Sequence, residues 1–328
     1  MTSKAITIGT LFKVEVGNVN AGWTEGVVTV MKKVELPDGN SHPYISGQAM
    51  RRYMRDTMQD IITGTSEQMS PSDQVKDKRG KSPITTLGDP RKYIDDDLFG
   101  FMRAVKKDRK EKAKEKDEDS ETGSTRKRTS PLRVSAAFGL FKFTGSRDLG
   151  TKSSVEHSGS AESGGSIFET EITNNIFKNN LMLELDRVGV WKDYETTDKE
   201  GDGNLSEIQR KERIKIMIKS LKYLWGGGRQ SRFLVDLTPQ FIIYARMSKK
   251  VPIFLNSLNV TYENSQYYLG SAIQETLKDY EQDIENVIIG SRSGFLKNIS
   301  NLENNGRKVE TIGNAIDAMV KDIDAAKI

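Results

Sequence analysis

After Ser46 the chain sets Gln48, Arg51, Arg52, Arg55 and Gln59 at spacings of three and four, which at about 100° per residue places them on one face of a helix. Met50, Tyr53, Met54, Thr57 and Ile61 fall on the opposite face. Ser46 is a good N-cap, so the helix is expected to start there, run to about Ile62 and stop near Gly64. Arginine offers a rigid fork of donors that matches phosphate, and a helix N-terminus offers unsatisfied backbone N–H groups. The polar face therefore reads either as a surface that tracks a phosphate backbone or as an ordinary solvated face. The run Gly226-Gly227-Gly228-Arg229-Gln230-Ser231-Arg232 offers a similar choice. Glycines let backbone amides approach a phosphate closely, with Arg229 or Arg232 adding charge, whereas the plain reading is a helix C-cap and turn. It is not a Walker A loop, because the GKS or GKT ending is absent.

Other chemistry is sparse. There is no cysteine, which excludes a disulfide framework, a thiol nucleophile and thiolate zinc sites. The two histidines, His42 and His157, are too few for a multi-histidine metal centre. Residues 198–209 resemble an EF-hand loop, but the third position is Glu200 and the twelfth is Gln209, where a bidentate glutamate is expected. A polar turn with a capping box of Ser206 and Gln209 explains them better. Asp95, Asp96 and Asp97 have no matching histidine and read as caps of a helix starting near Leu98. No Ser-His-Asp set or pair of carboxylates stands out, so neither an enzymatic activity nor a metal or cofactor is expected. The longest apolar stretches, such as Phe241 to Ala245, are far shorter than a bilayer span. The first residues alternate rather than forming an apolar leader, so a cytoplasmic protein with no membrane contact is expected.

The 50 basic and 46 acidic residues give a net charge of +4. Residues 103–128 hold eleven Lys/Arg and seven Asp/Glu, a local excess of four that equals the net charge of the whole chain. This segment reads as a solvated insertion that touches phosphate, or as a disordered loop with no ligand.

The elements that must position these residues follow from periodicity. Ala5 to Val16 alternates, as a half-buried strand does. Val27 to Leu36 looks like a second strand, closed by Pro37-Asp38-Gly39. Five Gly and seven Ser among the 23 residues 144–166 cannot build a core and make a long flexible arm. Leu181 to Trp191 alternates again, a helix fits Ser206 to Trp225, and Arg232 to Leu237 and Phe241 to Met247 read as strands split by Pro239. From Ser271 the chain is expected to be mostly helical, through Leu277, Tyr280, Ile284 and Ile288 and then Ile312, Ile316, Met319 and Ile323. With the insertions removed, the order is strand, helix, strand, strand, helix, strand. That is an α+β, ferredoxin-like plan shared by RNA-recognition modules.

Several segments carry a more specific likeness. The N-terminal strand, Asn18-Val19-Asn20-Ala21-Gly22 and Ile45-Ser46-Gly47-Gln48-Ala49-Met50-Arg51-Arg52 resemble the repeated backbone subunit of type I CRISPR surveillance complexes, or Cascade. Within it, they are most like the DevR autoregulator branch typical of subtype I-B. Asp95 to Met102, Ser130 to Ser135 and Gly227 to Ser231 are similar too, so the likeness spreads from about residue 5 to 240.

The resemblance implies a hand-shaped, non-catalytic RNA-binding subunit. An RRM-like palm would comprise residues 1–60, 131–143 and 167–262, with helical fingers at 61–130 holding a disordered basic segment. The thumb, a β-hairpin, would be residues 144–166, followed by a helical region at 263–328. Copies would stack in a helical filament along a CRISPR RNA beside other Cascade subunits, with target DNA reached through the guide. Asn18, Asn20, Ser46, Gln48, Arg51, Arg52 and Arg55 would line the RNA backbone, joined by Gly227, Gly228 and Arg229 and, from the thumb, Arg147 and Lys152. The sequence keeps little of the aromatic pattern of an RRM sheet, so recognition would rest on phosphate and ribose. Two other readings stay open. One is a metal-dependent ribonuclease of the type III kind acting through Asp148 in the thumb. The other is a calcium-regulated interaction protein built on residues 198–209.

Overall fold

The N-terminal alternation does make a strand, β1 (Ala5–Gly17), but one buried on both sides as far as Phe12. The computed structural model describes residues 2–71, 73–74, 84–104, 125–152, 166–195, 203–303 and 307–328. After β1 come β2 (Ala21–Glu25), β3 (Val28–Met31), β4 (Lys33–Glu35), β5 (Ser41–Ile45) and helix α1 (Gly47–Ile61). The next elements are β6 (Asp73–Gln74), β7 (Ile84–Thr85), α2 (Ile94–Phe99), β8 (Phe101–Ala104), β9 (Thr125–Arg128), β10 (Leu132–Val134) and β11 (Ala137–Gly139). Then follow β12 (Arg147–Lys152), β13 (Ser166–Glu171), β14 (Thr173–Glu184), α3 (Glu207–Ser220), β15 (Trp225–Gly226), β16 (Val235–Asp236) and β17 (Phe241–Met247). The C-terminal part holds α4 (Phe254–Ser257), β18 (Val260–Glu263), β19 (Gln266–Leu269), α5 (Ala272–Asp279), β20 (Ile284–Ser291), β21 (Val309–Glu310) and α6 (Ile312–Ala325).

β1 is the spine of an α+β structure. It pairs antiparallel with β14, Ala5 opposite Glu184, and with β17, Ala5 opposite Met247. β10 and β11 continue the sheet beyond β14, and β20 continues it beyond β17, all antiparallel. The order β17-β1-β14-β11 has α1 between β1 and β11 in sequence, and α3 between β14 and β17.

Because side chains alternate across a strand, β1 serves two cores. Ile6, Ile8, Phe12 and Val14 join Met50 and Met54 of α1, Ile214 and Met217 of α3, and Ile316 and Met319 of α6. Leu11 faces the other way, with Phe241 and Ile243 of β17, Phe254 of α4 and Ile273 and Leu277 of α5. Gly9 lies on that second face, where an added Cβ would come within 3.0 Å of Phe254, so a side chain there would lift α4 off the sheet. A second sheet, in the order β12-β13-β3-β2, includes a parallel pairing of β13 with β3. No helix among the described residues is long and apolar enough to cross a membrane.

Several expectations are corrected. Ile284 and Ile288 lie on strand β20, not on a helix. Val27 to Leu36 divides into β3 and β4, and only Val235–Asp236 of the stretch Arg232 to Leu237 is strand. The described part of residues 61–130 holds one six-residue helix, α2, and short antiparallel strands rather than a helical insertion. Within 144–166 a strand replaces the expected loop at Arg147–Lys152, while 153–165 lie outside the described residues, as do 105–124 of the charged run.

Candidate nucleic-acid interface

The N-terminus of α1 is fixed from both sides. Ser46 takes an extended conformation and its Oγ accepts the Ala49 N–H at 3.3 Å, the capping geometry expected of serine. Its own N–H donates to Asn20 Oδ1 at 3.0 Å, which ties the helix start to the turn after β1. Asn18, fully buried, sends its Nδ2 to the Glu171 carbonyl at 2.9 Å, while its own carbonyl accepts the Gly228 N–H at 2.6 Å. The glycine run thus lies directly against Asn18.

Glycine is required there. Gly227 has φ of +100°, and a Cβ on Gly228 would fall 2.4 Å from Asn18 Oδ1. A Cβ on Gly226 would strike the Tyr53 ring at 2.7 Å, so the glycine run also touches α1. Burial raises the Tyr53 hydroxyl above its ordinary pKa, and a bond with the Gly227 backbone opposes that shift. Arg229 holds a left-handed φ of +54° and donates from Nη2 to Thr29 Oγ1 at 3.1 Å. Asn18, Asn20, Ser46, Gly227, Gly228 and Arg229 are thereby brought together at one end of α1. Gln48 lies exposed in the first turn of that helix.

The three arginines of α1 differ from one another. Arg51 donates to the Phe99 carbonyl and, at 3.3 Å, to Ser130 Oγ, with its guanidinium 5.3 Å from the Phe99 ring centre. Burial, and then the charge of Arg55, lower its pKa. Arg55 is ion-paired with the buried Asp95. Among the described residues Arg52 pairs only with Asp56 one turn on, at 2.9 Å, and its side chain is 72% exposed. Three solvent-facing guanidinium forks are therefore not what α1 presents: two of them hold α2 and, through Ser130, the segment before β10. A cleft of about 630 Å³ opens between α1 and this region, lined by Arg52, Arg55, Gln59, Ser70, Phe101 and Met102.

On the second sheet, Arg147 pairs with Glu169 at 3.0 Å, and Lys152 ends β12. Asp148 is ion-paired with Arg232, whose guanidinium lies 4.8 Å from the Phe168 ring and 5.3 Å from Phe233. Among the described residues no group of three or more Asp, Glu or His is placed to hold a metal ion. Gln209 is occupied as a cap: its Oε1 accepts the Ser206 N–H at 3.1 Å, and Ser206 Oγ accepts the Gln209 N–H at 3.3 Å. Residues 198–202 of the EF-hand-like stretch, and His157, lie outside the described residues.

Sequence reasoning misses the groups that hold this surface in place. Asp97, fully buried, accepts from Arg128 at 2.5 Å, from Arg213 at 2.9 Å and from the Gly189 N–H at 2.9 Å. Glu171, 5% exposed, accepts the Met31 N–H and the Lys33 ammonium, each at 2.7 Å, locking β13 to the β3–β4 segment. Lys32 also escaped notice, although its backbone bonds both Asn20 and Tyr44 beside the α1 cap. The local pattern marks Asp97 only as a helix cap and does not mark the others, because their partners are distant in sequence.

The family model described as "CRISPR-associated negative auto-regulator DevR/Csa2" matches residues 8–267. Two solved structures share the fold. One, titled "CRISPR RNA-guided surveillance complex, pre-nicking", has 14% identity and a TM-score of 0.55, over 97% of this chain and 100% of that one. Another, titled "CRISPR RNA-guided surveillance complex", has 14% identity and a TM-score of 0.54, over 97% and 99%. No curated protein matches. On the family match, which spans most of its length, this chain belongs to the CRISPR-associated DevR/Csa2 family.

Proposed function

We propose that the protein is a non-catalytic backbone subunit of a type I CRISPR surveillance complex, holding the guide RNA by its sugar-phosphate chain. The observation that carries this reading is the convergence of the capped α1 N-terminus, Asn20, the glycine run and Arg229 on one surface, in a chain of the DevR/Csa2 family. Free N–H groups at a helix start, close-approach glycines and guanidinium donors together suit phosphate and carry no base code. The strand order β17-β1-β14-β11 supports reading the central sheet as the ferredoxin-like palm. Pairing of β12 with β13 supports reading that hairpin as the thumb.

In this reading Asn18 and Ser46 act mainly as supports. Arg52, Gln48, Arg229, Gly227 and Gly228 meet the RNA, with Arg147 and Lys152 following from the thumb. Copies of the chain assemble along the guide beside other Cascade subunits, and the guide pairs with target DNA. The ribonuclease alternative is not favoured: the Asp148 carboxylate is engaged by Arg232. The test is to purify the protein from its native host and sequence the nucleic acid that accompanies it. Short RNAs of uniform repeat-spacer layout are expected, whereas random cellular RNA or none would contradict the proposal.

A further inference from the structure

On the face of the central sheet opposite α1 and α3, beside α4, lies a cavity of about 380 Å³. Lys178 and Asn180 both point to this side, because residues two apart on a strand share a face. Lys178 stands across from Phe138 of β11 and Leu11 of β1. It has no hydrogen bond or ion pair among the described residues, and burial lowers the pKa of its ammonium. Asn180 is only 5% exposed, and its side-chain nitrogen has no acceptor.

The nearby hydroxyl cannot serve them. Ser135 Oγ donates to the Ala136 carbonyl at 2.9 Å and accepts from the Asn180 N–H at 2.9 Å and Asn179 Nδ2 at 3.2 Å. The remaining walls combine Phe138, Phe254, Leu258 and the 39% exposed Leu255 with Asn179 and Asn256. Lys178 and the buried Nδ2 of Asn180 thus border this cavity as two donors, one of them charged, with no acceptor among the described residues. Leaving them so is costly, and a ligand that brings the acceptors recovers that cost.

A carboxylate fits best: it has one oxygen for each donor and one charge for the ammonium. A nucleic acid would be met by several cations on a polar surface, and Lys178 is the only Lys or Arg lining this cavity. We propose that the cavity docks an acidic side chain of a partner polypeptide, its carboxylate taken by Lys178 and Asn180 and a neighbouring apolar side chain by Phe138 and Leu255. This site lies on the other side of the sheet from α1, so it stands or falls independently of the RNA reading.

The test is a methyl NMR titration of the full chain, following Ala136, Leu255 and Leu258. The probe is an N-acetylated, C-amidated tripeptide with glutamate between two leucines, compared with its glutamine counterpart. The glutamate peptide is expected to shift these signals and the glutamine peptide to bind at least tenfold more weakly. Lys178→Met is expected to remove the preference and Lys178→Arg to keep it. Equal response to both peptides, a preference that survives Lys178→Met, or an equal effect from acetate or a short oligonucleotide would each overturn the proposal. Where the Lys178→Met spectrum changes throughout, the glutamate-against-glutamine comparison on the unaltered chain decides.

Discussion

Asp95, Asp96 and Asp97 stand in consecutive positions, all buried, and each does something different. Asp95 takes Arg55 and the Ser70 N–H, whereas Asp97 takes two guanidinium groups and the Gly189 N–H. Removing one member of a buried ion network strands the others without compensation, which costs roughly 3–5 kcal/mol. Asp97→Ala is therefore expected to lose about that much stability, read as a lower urea midpoint with an unchanged denaturant slope. Asp96 is in a different position: its Oδ1 has no partner, and burial raises its pKa, with the Asp95 charge adding to the rise. A carboxyl whose folded pKa lies above its unfolded value holds its proton more firmly when folded. Its contribution is present below the unfolded value, near 3.8, and is lost as the pH climbs through the folded one. Asp96→Asn is thus expected to gain stability relative to the unaltered chain at pH 7, the gap closing at about pH 4. Paired urea unfolding at the two pH values checks this. The sequence suggests that these acids cap a helix starting near Leu98; instead they lie within α2, which starts at Ile94 after Tyr93 and has no side-chain cap. Their burial has no sign in the sequence, because Arg128 and Arg213 arrive from distant segments.

Between elements, the junction of α1 with the glycine run matters most. The arginine pattern correctly locates the helix and its apolar face, since Met50, Met54 and Thr57 are buried as the period requires. What the pattern cannot tell is that Arg51 and Arg55 are spent on Phe99 and Asp95. Those two bonds depend on how α2 packs, a tertiary outcome. A variant lacking all three arginines would therefore mix lost binding with a loosened α2. Arg52→Ala separates the two: its exposed pair with Asp56 is worth only about 0.3–0.5 kcal/mol, so stability barely moves while RNA binding falls. On the glycine side, Gly227→Ala combines a left-handed φ with a Cβ 3.0 Å from Val235 and 3.1 Å from the Asn18 carbonyl. About 1–3 kcal/mol of destabilisation is expected, measurable by thermal unfolding, with weaker RNA retention. The misread strand β20 has its own lesson. Ile284 and Ile288 continue the helical spacing of α5, but a short apolar run does not reveal its period. The β-branched Ile284, Val287, Ile288 and Ile289 favour a strand, and pairing with β17 decides it.

Across the whole molecule, the α+β order was legible because β1 and α1 carry clear periods and β17 is a short apolar run, whereas the strand expected at Leu181 to Trp191 is β14, which runs Thr173–Glu184. The coverage of the sheet was not legible. An RRM offers aromatic side chains on its open sheet face to stack bases. Here α4 and α5 pack over part of one face of the central sheet, with Phe254 against Gly9 and Leu11, so in the proposed ferredoxin-like reading that face is covered by apolar packing. In the proposed function, RNA would meet the α1 end, where the donors suit phosphate and ribose. The most direct measurement is the salt dependence of RNA affinity for several unrelated single-stranded sequences, on the unaltered chain, Arg52→Ala and Arg229→Ala. The account predicts one common steep slope for all sequences, reduced by roughly 0.7 for each phosphate contact removed by a substitution. Affinities that follow the base sequence, or slopes that neither substitution changes, would contradict it.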